Sequence, residues 1–188
     1  SVLDEETFSS TALMYVVAKA NMHFPNLRVL TLETRPVYVD VVELEFLDRA
    51  LHEGETPTTL ELAIGFEAFD DTIRNNLFRK GLTIRACEEF AEKVARHKFR
   101  LKCYFMLKPV VGLSTVEAIR DIHLAIDYLD GIATRFGLPV TFHLNPTYVP
   151  AGTPLASALQ RGEYTPPTLQ DVVVALRHAE GKNLIMNV

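Results

Sequence analysis

The chain is 188 residues long, 48% hydrophobic and 23% charged, the balance of one globular domain with a sizeable core. With a formal net charge of −5, no broad basic face of the kind that grips nucleic acid along its length is expected, which weakens the case for a nucleic-acid partner without excluding one. No apolar run approaches about 18 residues, and "SVLDEETFSS" at the start lacks the basic-then-apolar order of a signal peptide, so the expectation is a cytoplasmic protein with no membrane span.

In chain order, the spacing of Ala12, Tyr15, Val16, Lys19 and Met22 predicts a helix over 11–24 that Pro25 stops. "RVLTL" over 28–32 predicts a strand, and 42–52 a helix stopped by Gly54. A second strand is predicted over 59–66, followed by a short polar helix from Asp70 and a turn at Gly81. A helix over 84–97 and a strand over 101–107 follow. The amphipathic stretch 115–135 predicts a long helix capped by Ser114 and stopped by Gly137. A strand over 140–144, a helix over 168–179 stopped by Gly181, and a strand over 184–188 complete the pattern.

Strands separated by single helices run parallel, and apolar runs such as "ELAIGF" and "CYFML" suit strands covered on both faces. The fold class is therefore α/β. Polar residues recur just past strand after strand, and no glycine-rich phosphate loop follows a strand, which favours a partial (β/α) TIM-like barrel over an open doubly wound sheet. About five parallel strands alternate with helices, where a full barrel has eight. The whole chain, 1–188, thus reads as a single domain, the C-terminal portion of a barrel cut from a longer protein. Its exposed sheet predicts a homodimer.

The strand tips supply the candidate site. They carry Glu33 and Arg35, then Gly65 and Glu67, then Lys108, then Asn145. In parallel α/β folds the tips share one mouth, so these side chains are expected to converge. Ala63 and Gly65 leave space on the strand face that carries Glu67. His143 is expected to be a satisfied core histidine, and Phe66, Phe69 and Phe78 to be packing. The two cysteines, Cys87 and Cys103, match no metal-ligand spacing, and a buried inert thiol is expected within "LKCYFML".

Three strings, "TLETRPVYV", "ELAIGFEAFDDTIRNNLFRKGLT" and "YFMLKPVVGLSTVEAIRDI", resemble the later part of the radical S-adenosylmethionine barrel. The nearest resemblance is to the branch with the Elongator catalytic subunit and the archaeal enzyme that completes archaeosine in transfer RNA, and "GEYTPPTLQDVVVAL" is similar to the archaeosine type in particular. The resemblance implies a cofactor, S-adenosylmethionine, and in the full-length parent a [4Fe–4S] cluster on a CxxxCxxC motif. It places Glu33 at the ribose hydroxyls, Glu67 at the methionine end, Gly65 at a close backbone approach, and the strand entering Lys108 beside the adenine. It also implies a transfer RNA substrate for the parent. CxxxCxxC is absent from this chain, the family's glycine-rich segment is missing, and Val37 stands where the Elongator pattern has an acid. The fragment alone is therefore expected to be inactive. Two other readings stay open: a Schiff-base lyase using Lys108, with Glu33 or Glu67 moving protons, and a non-catalytic module that binds transfer RNA or protein.

Overall fold

The computed structural model describes residues 1–52 and 58–188; Gly54, the expected helix stop, lies outside the described residues. Helix α1 spans Ser10–His23, strand β1 Val29–Thr34, α2 Val41–Leu51, β2 Thr59–Glu67, α3 Ile84–Arg96 and β3 Arg100–Leu107. Then come α4 (Thr115–Phe136), β4 (Val140–Pro146), α5 (Pro154–Gln160), α6 (Leu169–Arg177) and β5 (Ile185–Asn187). Each of the six helices opens on a side chain that accepts a backbone N–H of its first turn: Ser9, Asp40, Thr83, Ser114, Thr153 and Thr168. Ser114 and Thr168 form full capping boxes with Glu117 and Asp171. Gly137 ends α4 at φ 60°.

The five strands form one parallel sheet in the order β1-β2-β3-β4-β5. A doubly wound sheet reverses its order at a switch point, and this one does not. Right-handed crossovers in an unreversed order carry every connecting helix to the same face. The core shows this for α2, α3, α4 and α6. Leu32, Leu62, Ile64, Phe66, Leu101, Phe105, Val140 and Phe142 alternate onto one face and pack with Leu44, Leu47, Phe90, Val94, Ile122 and Leu129 of the helices. Phe66, Phe105 and Phe142 stack across three strands with centroids 5.0 and 4.8 Å apart.

The alternate positions form a polar face: Thr31 and Glu33, Glu61, Ala63 and Gly65, Lys102 and Tyr104, Thr141, His143 and Asn145. At its base Glu61, 4% exposed, accepts from Thr31 Oγ1 of β1 at 2.9 Å and from Thr141 Oγ1 of β4 at 2.8 Å. Arg100 Nε of β3 lies 3.5 Å from the same carboxylate. The polar face is why these strands are not uniformly apolar, as strands buried under helices on both sides would be.

Four differences from the sequence expectations matter. β1 and β4 run further than expected, so Glu33 and Asn145 lie inside strands, paired in register with Ala63 and Met106, rather than past their ends. The short polar helix after β2 is a π-helical turn over Thr72–Leu77. The α5 helix carries no apolar period long enough to be read from the sequence. His143 sits on the polar face and not in the core. No helix among the described residues is long and apolar enough to cross a membrane.

Replacing Glu61 by Ala removes the one acceptor that joins β1 to β4, leaves the buried Thr141 hydroxyl without its partner and takes the counter-charge from Arg100. The expected loss is about 2–3 kcal/mol, read from urea unfolding; an unchanged midpoint would show that the network contributes nothing to the sheet.

Candidate functional site

The tip of β2 turns abruptly. Glu67 has φ 68°, and Ala68 N–H donates to the Phe66 carbonyl at 2.9 Å, which makes a γ-turn centred on Glu67. The register with β3 slips at the same place, where Gly65 pairs with Tyr104 and Glu67 already with Phe105. A non-glycine residue at this φ is strained, costing about 1–3 kcal/mol, and must be held by its surroundings.

Arg74 does the holding. It is 1% exposed, and its guanidinium donates to the carbonyls of Ala68 (3.2 Å), Phe69 (2.6 Å) and Leu82 (2.7 Å) and to Asp71 (2.6 Å). It also lies 4.8 Å from the Phe66 ring centre. From α4, Asp121 accepts the N–H groups of Phe69 at 2.9 Å and Asp70 at 2.6 Å. Burial pushes the Asp121 carboxyl up, while those two donors pull it down. Asn75 ties the far end, bonding both the N–H and the carbonyl of Leu82 at 3.0 Å.

The fixed loop returns Lys80 over the strand it left. Lys80 Nζ donates to Glu67 Oε1 at 2.6 Å, with both side chains partly buried. The pair lies directly above Gly65: a Cβ there would come within 2.5 Å of Glu67 Oε1 and 2.9 Å of Lys80 Nζ. The small residue therefore makes room for an ion pair.

Two cavities flank this pair. The first, about 220 Å³, is lined by Glu33, Arg35, Gly65, Lys80 and Gly81, with Ser1 and Thr34 at its side. Among the described residues the Glu33 carboxylate and the Arg35 guanidinium have no ion pair. The second, about 500 Å³, is lined by Glu67, Phe78, Met106, Asn145, Thr147 and Tyr148, with Pro109, Pro146 and Pro150. The candidate residues thus gather at one end of the sheet but not in one mouth. Glu33, Arg35 and Gly65 share the first cavity, and Glu67 and Asn145 the second. Phe78, expected to be packing, is a wall of the second cavity.

Lys108 lines neither cavity. It has φ 57°, is 8% exposed, and donates to Thr115 Oγ1 at 3.1 Å at the start of α4. Its carbonyl accepts the Tyr164 hydroxyl at 2.8 Å. His143 packs edge-on against Tyr104, and burial followed by the nearby Lys102 charge lowers its pKa. Both cysteines are fully buried in the helix-packed core, and burial pushes the Cys103 thiol well up. Among the described residues no group of three or more His, Cys, Asp and Glu is placed to hold a metal ion.

Sequence reasoning missed Arg74, Lys80 and Asp121. Lys80 had a signal, a cation directly before a glycine in the loop that follows an acid-tipped strand; Asp121 is one of several charges on a helix and had none.

Fold and site together define a parallel α/β chain with ligand-sized cavities at the carboxyl ends of its strands. No family model matches the chain. It is similar to archaeosine synthase subunit beta of Methanosarcina acetivorans, 31% identical over 156 residues, which cover 83% of this chain and 42% of the relative. It is also similar to the protein of the same name from Thermococcus kodakarensis, 29% identical over 65% of this chain and 36% of the relative. An uncharacterized protein of Methanocaldococcus jannaschii is 25% identical over 97% of this chain and 47% of its own length. The chain spans less than half the length of each of these relatives.

Replacing Arg74 by Leu leaves the Ala68 and Phe69 carbonyls without their side-chain donor and the Leu82 carbonyl with Asn75 alone, and is expected to cost roughly 3 kcal/mol in chemical unfolding, with faster amide exchange at Phe69 and Leu82. Unaltered exchange at those amides would count against the staple. Gly65→Ala is expected to be mild for stability, because the atoms it meets are the mobile ends of Glu67 and Lys80. Its signature is a broken Glu67–Lys80 contact in the crystal structure of the variant; an intact contact would refute the steric account.

Proposed function

We propose that this chain is the S-adenosylmethionine-binding part of a (β/α) barrel in a longer enzyme that modifies a nucleoside of transfer RNA. One observation carries the reading: a free carboxylate and a free guanidinium, Glu33 and Arg35, face the cavity at the tips of β1 and β2. S-adenosylmethionine offers hydroxyl and ammonium donors at one place and a carboxylate at another, the complement of that wall. The unreversed strand order with helices on one face supports barrel geometry. The printed names of two relatives support archaeosine synthesis as the setting.

The residues would act as follows. Glu33 accepts from the ribose hydroxyls. Arg35 and Lys80 receive the carboxylate. Glu67 holds Lys80 in place over Gly65, where the backbone lies open to close approach. When bound, S-adenosylmethionine supplies the sulfonium chemistry of this enzyme class. The residues of this chain do not fit an iron–sulfur cluster, since both thiols are buried away from the strand tips. In this proposal the cluster ligands lie elsewhere in the longer protein. The lyase alternative has less support, because Lys108 Nζ is engaged with Thr115 and lines neither cavity.

The test is calorimetric titration of S-adenosylmethionine into the longer protein and into its Glu33→Gln and Arg35→Ala variants. Each variant is expected to weaken binding by about 1.5–3 kcal/mol. Equal affinities in all three proteins would remove the cofactor assignment.

A further inference from the structure

The second cavity is built differently from the first. Its walls are flat and apolar: the Tyr148 ring, the faces of Pro109, Pro146 and Pro150, and the side chains of Phe78, Met106 and Leu155. Its polar points, Glu67, Asn145 and Thr147, come from the ends of β2 and β4. None of its lining residues is Lys or Arg, so it has nothing to neutralise a phosphate or a carboxylate. Tyr148 is 79% exposed, an aromatic face turned to solvent at the cavity edge. The Glu67–Lys80 pair stands between this cavity and the first.

We infer that this cavity takes a nucleobase, stacked on Tyr148 and the proline faces, with its polar edge read by Asn145 and Glu67. The inference deepens the proposed function and rests on it for the choice of nucleoside as substrate. The physical argument is independent of the cofactor. An uncharged planar ring gains from an apolar slot with an aromatic face, and a few acceptors and amides at the end of that slot fix its orientation. The phosphate, which a lining without Lys or Arg cannot neutralise, remains outside. Glu67 serves both cavities, with one carboxylate oxygen on Lys80 and the other left for a ring N–H donor.

The experiment titrates guanosine, adenosine, cytidine and uridine separately into the longer protein and into its Tyr148→Ala and Asn145→Ala variants. S-adenosylmethionine is titrated into the same three proteins. Tyr148 is largely exposed, so its replacement leaves the core intact, and circular dichroism checks this. At least one nucleoside is expected to bind, and Tyr148→Ala is expected to weaken it roughly tenfold, the scale of one lost base–aromatic contact. Affinity for S-adenosylmethionine is expected to stay unchanged. Asn145→Ala is expected to narrow the difference among the four nucleosides. The absence of nucleoside binding at millimolar concentration, or nucleoside affinity untouched by Tyr148→Ala, overturns the inference. Weakened S-adenosylmethionine binding in Tyr148→Ala also overturns it, by giving the cavity to the cofactor. Failure of the cofactor reading has a different signature: the Glu33→Gln variant binds S-adenosylmethionine normally while Tyr148→Ala still loses the nucleoside.

Discussion

One carboxylate fixes the geometry on which everything at the strand tips depends. Glu61 sits low on the polar face and holds the hydroxyls of Thr31 and Thr141, so β1, β2 and β4 cannot slide past each other without stripping a buried charge of its donors. In a parallel sheet a slip of one residue would exchange the two faces. Glu33 and Gly65 would then turn into the helix layer, and Leu62 and Phe66 out of it. The apolar alternation states which face is which, and Glu61 adds a polar constraint that only one register satisfies.

Above that base, the β2 tip is shaped by a second buried ion, and the two work in different ways. Glu61 collects neutral donors across the sheet. Arg74 collects carbonyls within one loop and thereby sets the path from the γ-turn at Glu67 to Lys80. The strained φ of Glu67 aims its carboxylate back over Gly65 instead of letting β2 run on. Strain, staple and ion pair form one unit. The polarity that this unit presents to a ligand is set by the Glu67–Lys80 pair at its surface.

Much of the layout was legible because period and punctuation carry it. Leu60, Leu62, Ile64 and Phe66 alternate, and Ser114 and Gly137 bracket α4 as cap and stop. The convergence of polar residues at the tips follows from parallel strands alone. What stayed hidden was set by contacts remote in sequence. The extension of β1 to Thr34 and β4 to Pro146 depends on neighbours continuing the ladder, which no local propensity records. His143 has apolar neighbours in sequence, yet its partners in space are Tyr104 and Lys102, because alternation sends it to the face opposite Phe142 and Leu144. The division of the tips into two cavities could not be read, since it comes from Lys80 folding back thirteen residues onto Glu67.

The placement of the cysteines has a practical side. The chain has two thiols, Cys87 on the inner side of α3 and Cys103 on the helix face of β3, and solvent reaches neither. An alkylating reagent can label them only when α3 lifts from the sheet or the domain opens as a whole. The labelling rate under native conditions therefore measures how often the layer beneath the strand tips breathes, with no probe added to the protein.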